Sequence, residues 1–188
     1  MDETKNLDDS GTLHMVTFRV GSSLLGVQIE LVKEIHNMLG ITEVPGAHGI
    51  FMGMVNLRGK IVTVIDMNVV LGQKEEPAVN PKLLFLKTTS ELLSIRGGDE
   101  VVMELGYENE DTVGLFIDRI EETIVIDSQA IRPVPSNLDE KKKMMLNGVI
   151  KNNNELILLL NVTRVLNRCR DGFRDPKQSV NDHPADAV

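Results

Sequence analysis

Short apolar runs recur along the chain, each five to seven residues long and rich in Val, Ile, Leu and Thr: "HMVTFRV", "LLGVQI", "GMVNL", "KIVTVI", "KLLFLK", "EVVMEL", "TVGLFI", "ETIVI", "LNGVI" and "ELILLL". Gly, Asn, Pro and acidic pairs separate them, which is the pattern of strands joined by turns. Helical spacing of apolar positions occurs in "ELVKEIHNML" (30–39), "DMNVVLG" (66–72) and "NVTRVLNRCR" (161–170), the last two opening on the capping residues Asp66 and Asn161. The glycines of "RGGDE" (96–100) are read as a hairpin turn rather than as a phosphate-binding loop, since no helix is expected after them. The chain is therefore expected to be mainly β, with short helices.

The pattern also repeats. In "GMVNLRGKIVTVIDMNVVL" and "GVIKNNNELILLLNVTRVL" a glycine, a strand, a polar turn, a second strand, a helix cap and a final Val-Leu fall in one register, because Gly53 and Gly148 are separated by the same distance as Asp66 and Asn161. Upstream of each copy, "GVQIELVKEI" (26–35) lines up with "GLFIDRIEET" (114–123). Two similar β halves, each a small barrel, are the economical architecture.

Composition narrows the function by exclusion. With 41% hydrophobic residues in 188, a sizeable core can be buried. A net charge of -8, with Lys141, Lys142 and Lys143 as the sole basic run, opposes nucleic-acid binding. Aromatic content of 3% removes the stacking platforms used for single strands and sugars. The longest apolar stretch, "LILLL", is far short of the roughly 20 residues that cross a bilayer, so no membrane insertion is expected. "MDETKNLDDS" has neither the positive start nor the apolar centre of a secretory signal, which points to the cytoplasm.

Candidate chemistry is sparse. His14, His36, His48 and His183 form no pair at metal-ligand spacing, and Cys169 is alone, near a helix end with no flanking His. The carboxylate pairs Glu121/Glu122 and Asp139/Glu140 sit in charged, turn-like surroundings with nothing to desolvate them, and are read as solvated faces. No nucleophile elbow or P-loop is present, and no cofactor and no enzymatic activity are expected. Met52, Met54 and Met67 cluster near residues 53–66, either filling the core or offering an adaptable surface. What remains is the profile of a protein that touches other proteins.

At "VNLRGKIVTVID" (55–66) the chain resembles the CheW family of adaptors, and the resemblance extends by pattern over 12–168 through "ITEVPGAHGIFMGMVNLRGKIVTVID", "VGLFIDRIEETIVI", "IRPVP" and "LNGVIKNNNELILLLNVTRVL". It implies two small SH3-like five-stranded barrels related by a pseudo-twofold axis, with a groove between them. It further implies a non-enzymatic scaffold: one face binding the regulatory domain of the histidine kinase CheA, the groove taking the helical cytoplasmic tip of a chemoreceptor, and self-association in array rings. Carried over by position, Val32, Glu34, Gly53, Asn56, Arg58 and Gly59 fall where the family's contact surface lies, with Gly53 and Gly59 equally well explained by tight turns. Arg58, a charged residue in an apolar hairpin, is expected to pair with Glu34.

The organisation that follows is a mobile N-terminus (1–11), a CheW-like domain (12–170) with halves near 12–80 and 81–170 and room for strand exchange, and a mobile tail (171–188). The 18 residues after 170 are too few for a receiver domain, so a single-module adaptor is expected rather than the CheV fusion. Thr63 and His48 stand where the family often has proline, and residues 89–99 lengthen the second half, as a hairpin or loop that is either a structural elaboration or an array contact. Two other readings stay open: an adaptor for a kinase pathway with another output, such as surface motility, and a ligand-binding barrel with a polar pocket between the halves.

Overall fold

Alternation along "MVNLRGKIVTVI" dictates the first clear element, an antiparallel hairpin of β4 (Phe51–Leu57) and β5 (Lys60–Asp66) in which Val55 faces Val62 and Asn56 faces Ile61. In the computed structural model of the protein, residues 11–45, 49–73, 78, 80–152 and 155–173 are described. Of the ends expected to be mobile, 1–11 and 171–188, residues 1–10 and 174–188 lie outside the described residues, whereas 171–173 continue the last helix, which runs on to Phe173.

Among the described residues, ten strands form two five-stranded sheets. The first three are β1 (Thr12–Val20), β2 (Ser23–Gln28) and β3 (Val32–Asn37), the last two separated by a single 3-10 turn at Ile29–Leu31. After β5 come α1 (Met67–Val70), β6 (Lys82–Leu86), α2 (Thr89–Leu93), α3 (Gly98–Leu105), β7 (Val113–Ile117) and β8 (Arg119–Asp127). The chain continues through α4 (Glu140–Met144), β9 (Leu146–Asn152), β10 (Glu155–Leu160) and α5 (Val162–Phe173). One sheet runs β8-β1-β2-β10-β9 and the other β3-β6-β7-β5-β4.

Neither sheet is drawn from residues 12–80 or from 81–170 alone. Each half of the chain gives its first two strands to one sheet and its last three to the other, the chain changing sheets at Ile29–Leu31 and again after Ile117. The internal repeat survives this exchange residue by residue. Parallel pairing places Val64 of β5 opposite Gly114 of β7, and Leu159 of β10 opposite Gly26 of β2, the positions that the repeat equates. The isolated bridges Thr42–Met54 and Arg132–Val149 are a further equivalent pair, joining "ITEVP" and "IRPVP" to the two glycine-led strands.

Three hydrophobic clusters explain the near-continuous apolar strands. Val55, Leu57, Val62, Val64, Leu83 and Phe85 fill one barrel, and Met15, Ile126, Ile150, Ile157 and Leu159 fill the other. The largest cluster lies between them, taking Leu84, Leu86 and Ile65 from one sheet and Phe18, Leu158 and Leu160 from the other, with Val165 and Leu166 of α5. Strands in the middle of the molecule are thus buried on both faces, and their sequences lose the alternation expected of a half-exposed strand.

Two elements depart from expectation. "ELVKEIHNML" is the 3-10 turn followed by β3, because five of its residues pair with β6, and that pairing overrides the helical spacing. "EVVMEL" is α3, bounded by Gly97 and Gly106 with φ of +74° and +54°, so "RGGDE" opens a helix instead of turning a hairpin. Residues 89–99, expected as a hairpin or loop, are corrected as well: they belong to a helical pair inserted between β6 and β7, on the sheet that carries the β4–β5 hairpin.

Candidate functional site

The β4–β5 hairpin turns through two residues, Arg58 and Gly59, with φ of +53° and +86°. Both positive angles are what a two-residue turn between twisted strands needs, and a side chain at Arg58 is strained there. Asn56 offsets part of that strain by accepting a hydrogen bond at Oδ1 from the Gly59 N–H at 2.7 Å. The turn holds an arginine out into solvent on a fixed backbone.

Arg58 does pair with Glu34. Its Nη2 donates to Glu34 Oε2 at 2.7 Å, the guanidinium being 77% exposed and the carboxylate 16%. Since β3 and β4 are the two ends of the strand order, this pair ties one end of the sheet to the turn beyond the other. His36, two residues along β3, places Nε2 2.7 Å from the same Glu34 oxygen and sets its ring edge-on to Phe85 with centroids 5.6 Å apart. The hydrogen bond from His36 is the largest influence holding the Glu34 carboxyl below the usual range, with the Arg58 charge adding to it against desolvation.

The six residues carried over from the family pattern separate into two groups. Glu34, Asn56, Arg58 and Gly59 come together at this turn. Gly53 lies further along β4, where its φ is +142° and an added Cβ would stand 2.4 Å from the Thr42 carbonyl oxygen. It is a close backbone approach and not a turn; Gly59 is the one in the turn. Val32 is half-buried at the start of β3, packed against the central cluster.

Ile61 is the contact candidate that sequence reasoning missed. It faces Asn56 across the hairpin and is 67% exposed, leaving an isoleucine beside the Arg58–Glu34 pair. The available signal was its place, an isoleucine one residue past the polar turn at Arg58–Lys60, where a strand end is commonly exposed.

A groove of about 890 Å³ lies between this sheet and α5, on the face of β5 that carries Thr63 and Ile65 and, nearer the turn, Ile61. Phe51, Ile65, Val113 and Leu166 give it an apolar lining, Thr63 stands on the β5 side, and Glu108, Glu110 and Asp111 lie along it. Cys169 lines it too, but burial pushes its thiol up to about 12, which leaves it unreactive at neutral pH. Among the described residues no group of three or more His, Cys, Asp or Glu is placed to hold a metal, and no helix is long and apolar enough to cross a membrane. Glu121 is bound by Arg19 and Arg119, and Asp139 caps α4, so the acidic pairs serve structure.

Residues 14–170 match the family model of the CheW-like domain. A chemotaxis protein CheW of Helicobacter pylori is 27% identical over 165 residues, covering 88% of each chain. A second, from Rhizobium meliloti, is 25% identical over 162 residues, covering 86% of this chain and 91% of its own. The crystal structure of the scaffolding protein TtCheW from Thermoanaerobacter tengcongensis superposes with a TM-score of 0.61 at 24% identity, over 79% of this chain and 88% of that one, and shares the fold. With the two exchanged five-stranded sheets and a matched domain that spans most of the sequence, the chain belongs to the CheW family.

Proposed function

We propose that this protein is a non-enzymatic scaffold of a chemotaxis signalling array, coupling chemoreceptors to the histidine kinase CheA in the cytoplasm. The observation that carries the reading is the family match over 14–170, together with two places suited to contact, the β4–β5 turn and the groove beside α5. The Arg58–Glu34 turn with exposed Ile61 supplies the kinase-facing patch, an apolar centre with a charged rim. The groove beside α5 supplies a seat for an amphipathic receptor helix. Glu34, Asn56 and Arg58 touch the partner, while Val32, Gly53 and Gly59 give the strand and turn their shape. Self-association in rings belongs to the same reading, because the regulatory domain this chain would bind carries a CheW-like fold that a second copy can replace.

Each contact is of modest size, on the order of 800 Å² per partner, so avidity in the array supplies much of the overall affinity. The test is a calorimetric titration of the protein against the CheA regulatory domain of its own organism. Wild type binds in the micromolar range, and Arg58→Ala, once shown to be folded, binds at least tenfold more weakly. Wild-type protein that fails to bind this domain refutes the reading.

A further inference from the structure

The protein's internal repeat singles out one element. β1 and β2 are joined by the two residues Gly21 and Ser22, but their equivalents β6 and β7 are joined by residues 87–112, which hold α2 and α3. This insertion is firmly built. Thr88 and Glu91 form a reciprocal capping box at the start of α2, and Leu92 is fully buried in the central cluster. Tyr107, also buried, donates its hydroxyl to the Lys87 carbonyl at 2.7 Å, and Asn109 Nδ2 donates to the same oxygen at 2.9 Å. Glu91 pairs with Lys33 of β3 at 2.5 Å.

So anchored, the insertion leaves Leu93 55% exposed, on the side of α2 that lines the groove. From its far end it also supplies Glu108, Glu110 and Asp111 to the same groove. Glu108 lies 4.0 Å from Arg170, and Glu110 and Asp111 have no ion pair among the described residues. An exposed leucine on a fixed helix, over an apolar lining and beside an excess of carboxylates, complements one kind of helix: an apolar stripe flanked by Lys or Arg. A second copy of this chain, at net charge -8, is a poor match for that rim.

We propose that the α2–α3 insertion is a selectivity wall of the groove, with Leu93 contacting the apolar stripe of a receptor-tip helix and Glu110 and Asp111 pairing with its basic side chains. The inference rests on the reading of the groove as the receptor seat, and the experiment separates the two. The full chain is titrated with a soluble cytoplasmic-tip fragment of a chemoreceptor from its own organism at low and high salt. Leu93→Asp, the double variant Glu110→Lys with Asp111→Lys, and Thr63→Arg inside the groove are compared with wild type. All the substituted wall residues are exposed, and melting curves check that folding is intact.

The expected result is at least tenfold weaker binding for Leu93→Asp, a similar loss with a flattened salt dependence for the double variant, and unchanged binding of the CheA regulatory domain by both. Thr63→Arg blocks receptor binding. If Thr63→Arg blocks it while both wall variants stay within twofold of wild type, the selectivity wall is overturned and the groove reading stands. If Thr63→Arg has no effect, the groove reading falls and the wall with it.

Discussion

Replacing Gly53 by alanine separates a glycine needed for a close approach from one needed only for a turn. At Gly53 an added Cβ would stand 2.4 Å from the Thr42 carbonyl oxygen and 2.7 Å from Ile41 Cγ2, at a φ of +142°. Backbone cannot move aside as a flexible side chain can, so the Thr42 segment must separate from β4. That breaks two hydrogen bonds of 2.8 Å, Thr42 N–H to Met54 O and Met54 N–H to Thr42 O, worth about 1 kcal/mol each. Strain at the unfavourable φ adds about 1–3 kcal/mol, for a total of about 3–5 kcal/mol against a stability of roughly 5–15 kcal/mol for an ordinary domain. Gly59, at φ +86° with nothing within 4 Å of an added Cβ, is the control; alanine there costs about 1–2 kcal/mol from the left-handed backbone alone. Urea unfolding followed by circular dichroism measures both, with equal slopes confirming that the unfolded states match. A Gly53→Ala variant no less stable than Gly59→Ala would refute the close-approach argument.

Four further outcomes follow from the geometry. A double-mutant cycle on Arg58→Ala and Glu34→Ala should give a stability coupling under about 1 kcal/mol, since Arg58 is largely exposed. Glu34 titrates below its ordinary value when folded, so its contribution is present above that value and is lost as pH falls through the lowered one; a cycle that keeps its full coupling in acid strong enough to protonate the Glu34 carboxyl would contradict this. Thr88→Ala removes the cap of α2 and should lower stability by about 1 kcal/mol in a urea titration. Native Cys169, buried with its thiol pushed up to about 12, should resist a disulfide reagent at pH 8 and react at once in denaturant; immediate reaction of the folded protein would show that α5 does not seal it.

Much of this could be read from the residues, for reasons that differ by element. The repeat was legible because it is carried by fixed spacings, and those spacings reappear as identical parallel registers in the two sheets. Asp66 and Asn161 were legible as caps because capping is local: Asp66 accepts from the Asn68 N–H and Asn161 from the Arg164 N–H. The Arg58–Glu34 pair followed from a charged residue that needs a partner in an apolar hairpin. The exchange of strands between sheets had no local signature, because which strand β3 joins depends on residues 82–86, far along the chain. Helical spacing in 30–39 was an accident that this pairing overruled, and the valines of α3 suggested a strand until Gly97 and Gly106 fixed both helix ends. A groove was implied by the family resemblance, but its lining was hidden for a similar reason, since Phe51, Val113 and Leu166 meet only after both halves have exchanged strands.

In the proposed function, one chain holds two partners at once, the kinase domain at the β4–β5 turn and the receptor helix in the groove. Sedimentation velocity on an equimolar mixture of this protein, the CheA regulatory domain and the receptor-tip fragment tests it most directly. The expected result is a ternary species with wild type, and with Arg58→Ala a binary species that keeps the receptor fragment and loses the kinase domain. Mutually exclusive binding, with the two partners displacing one another from the chain, would contradict it.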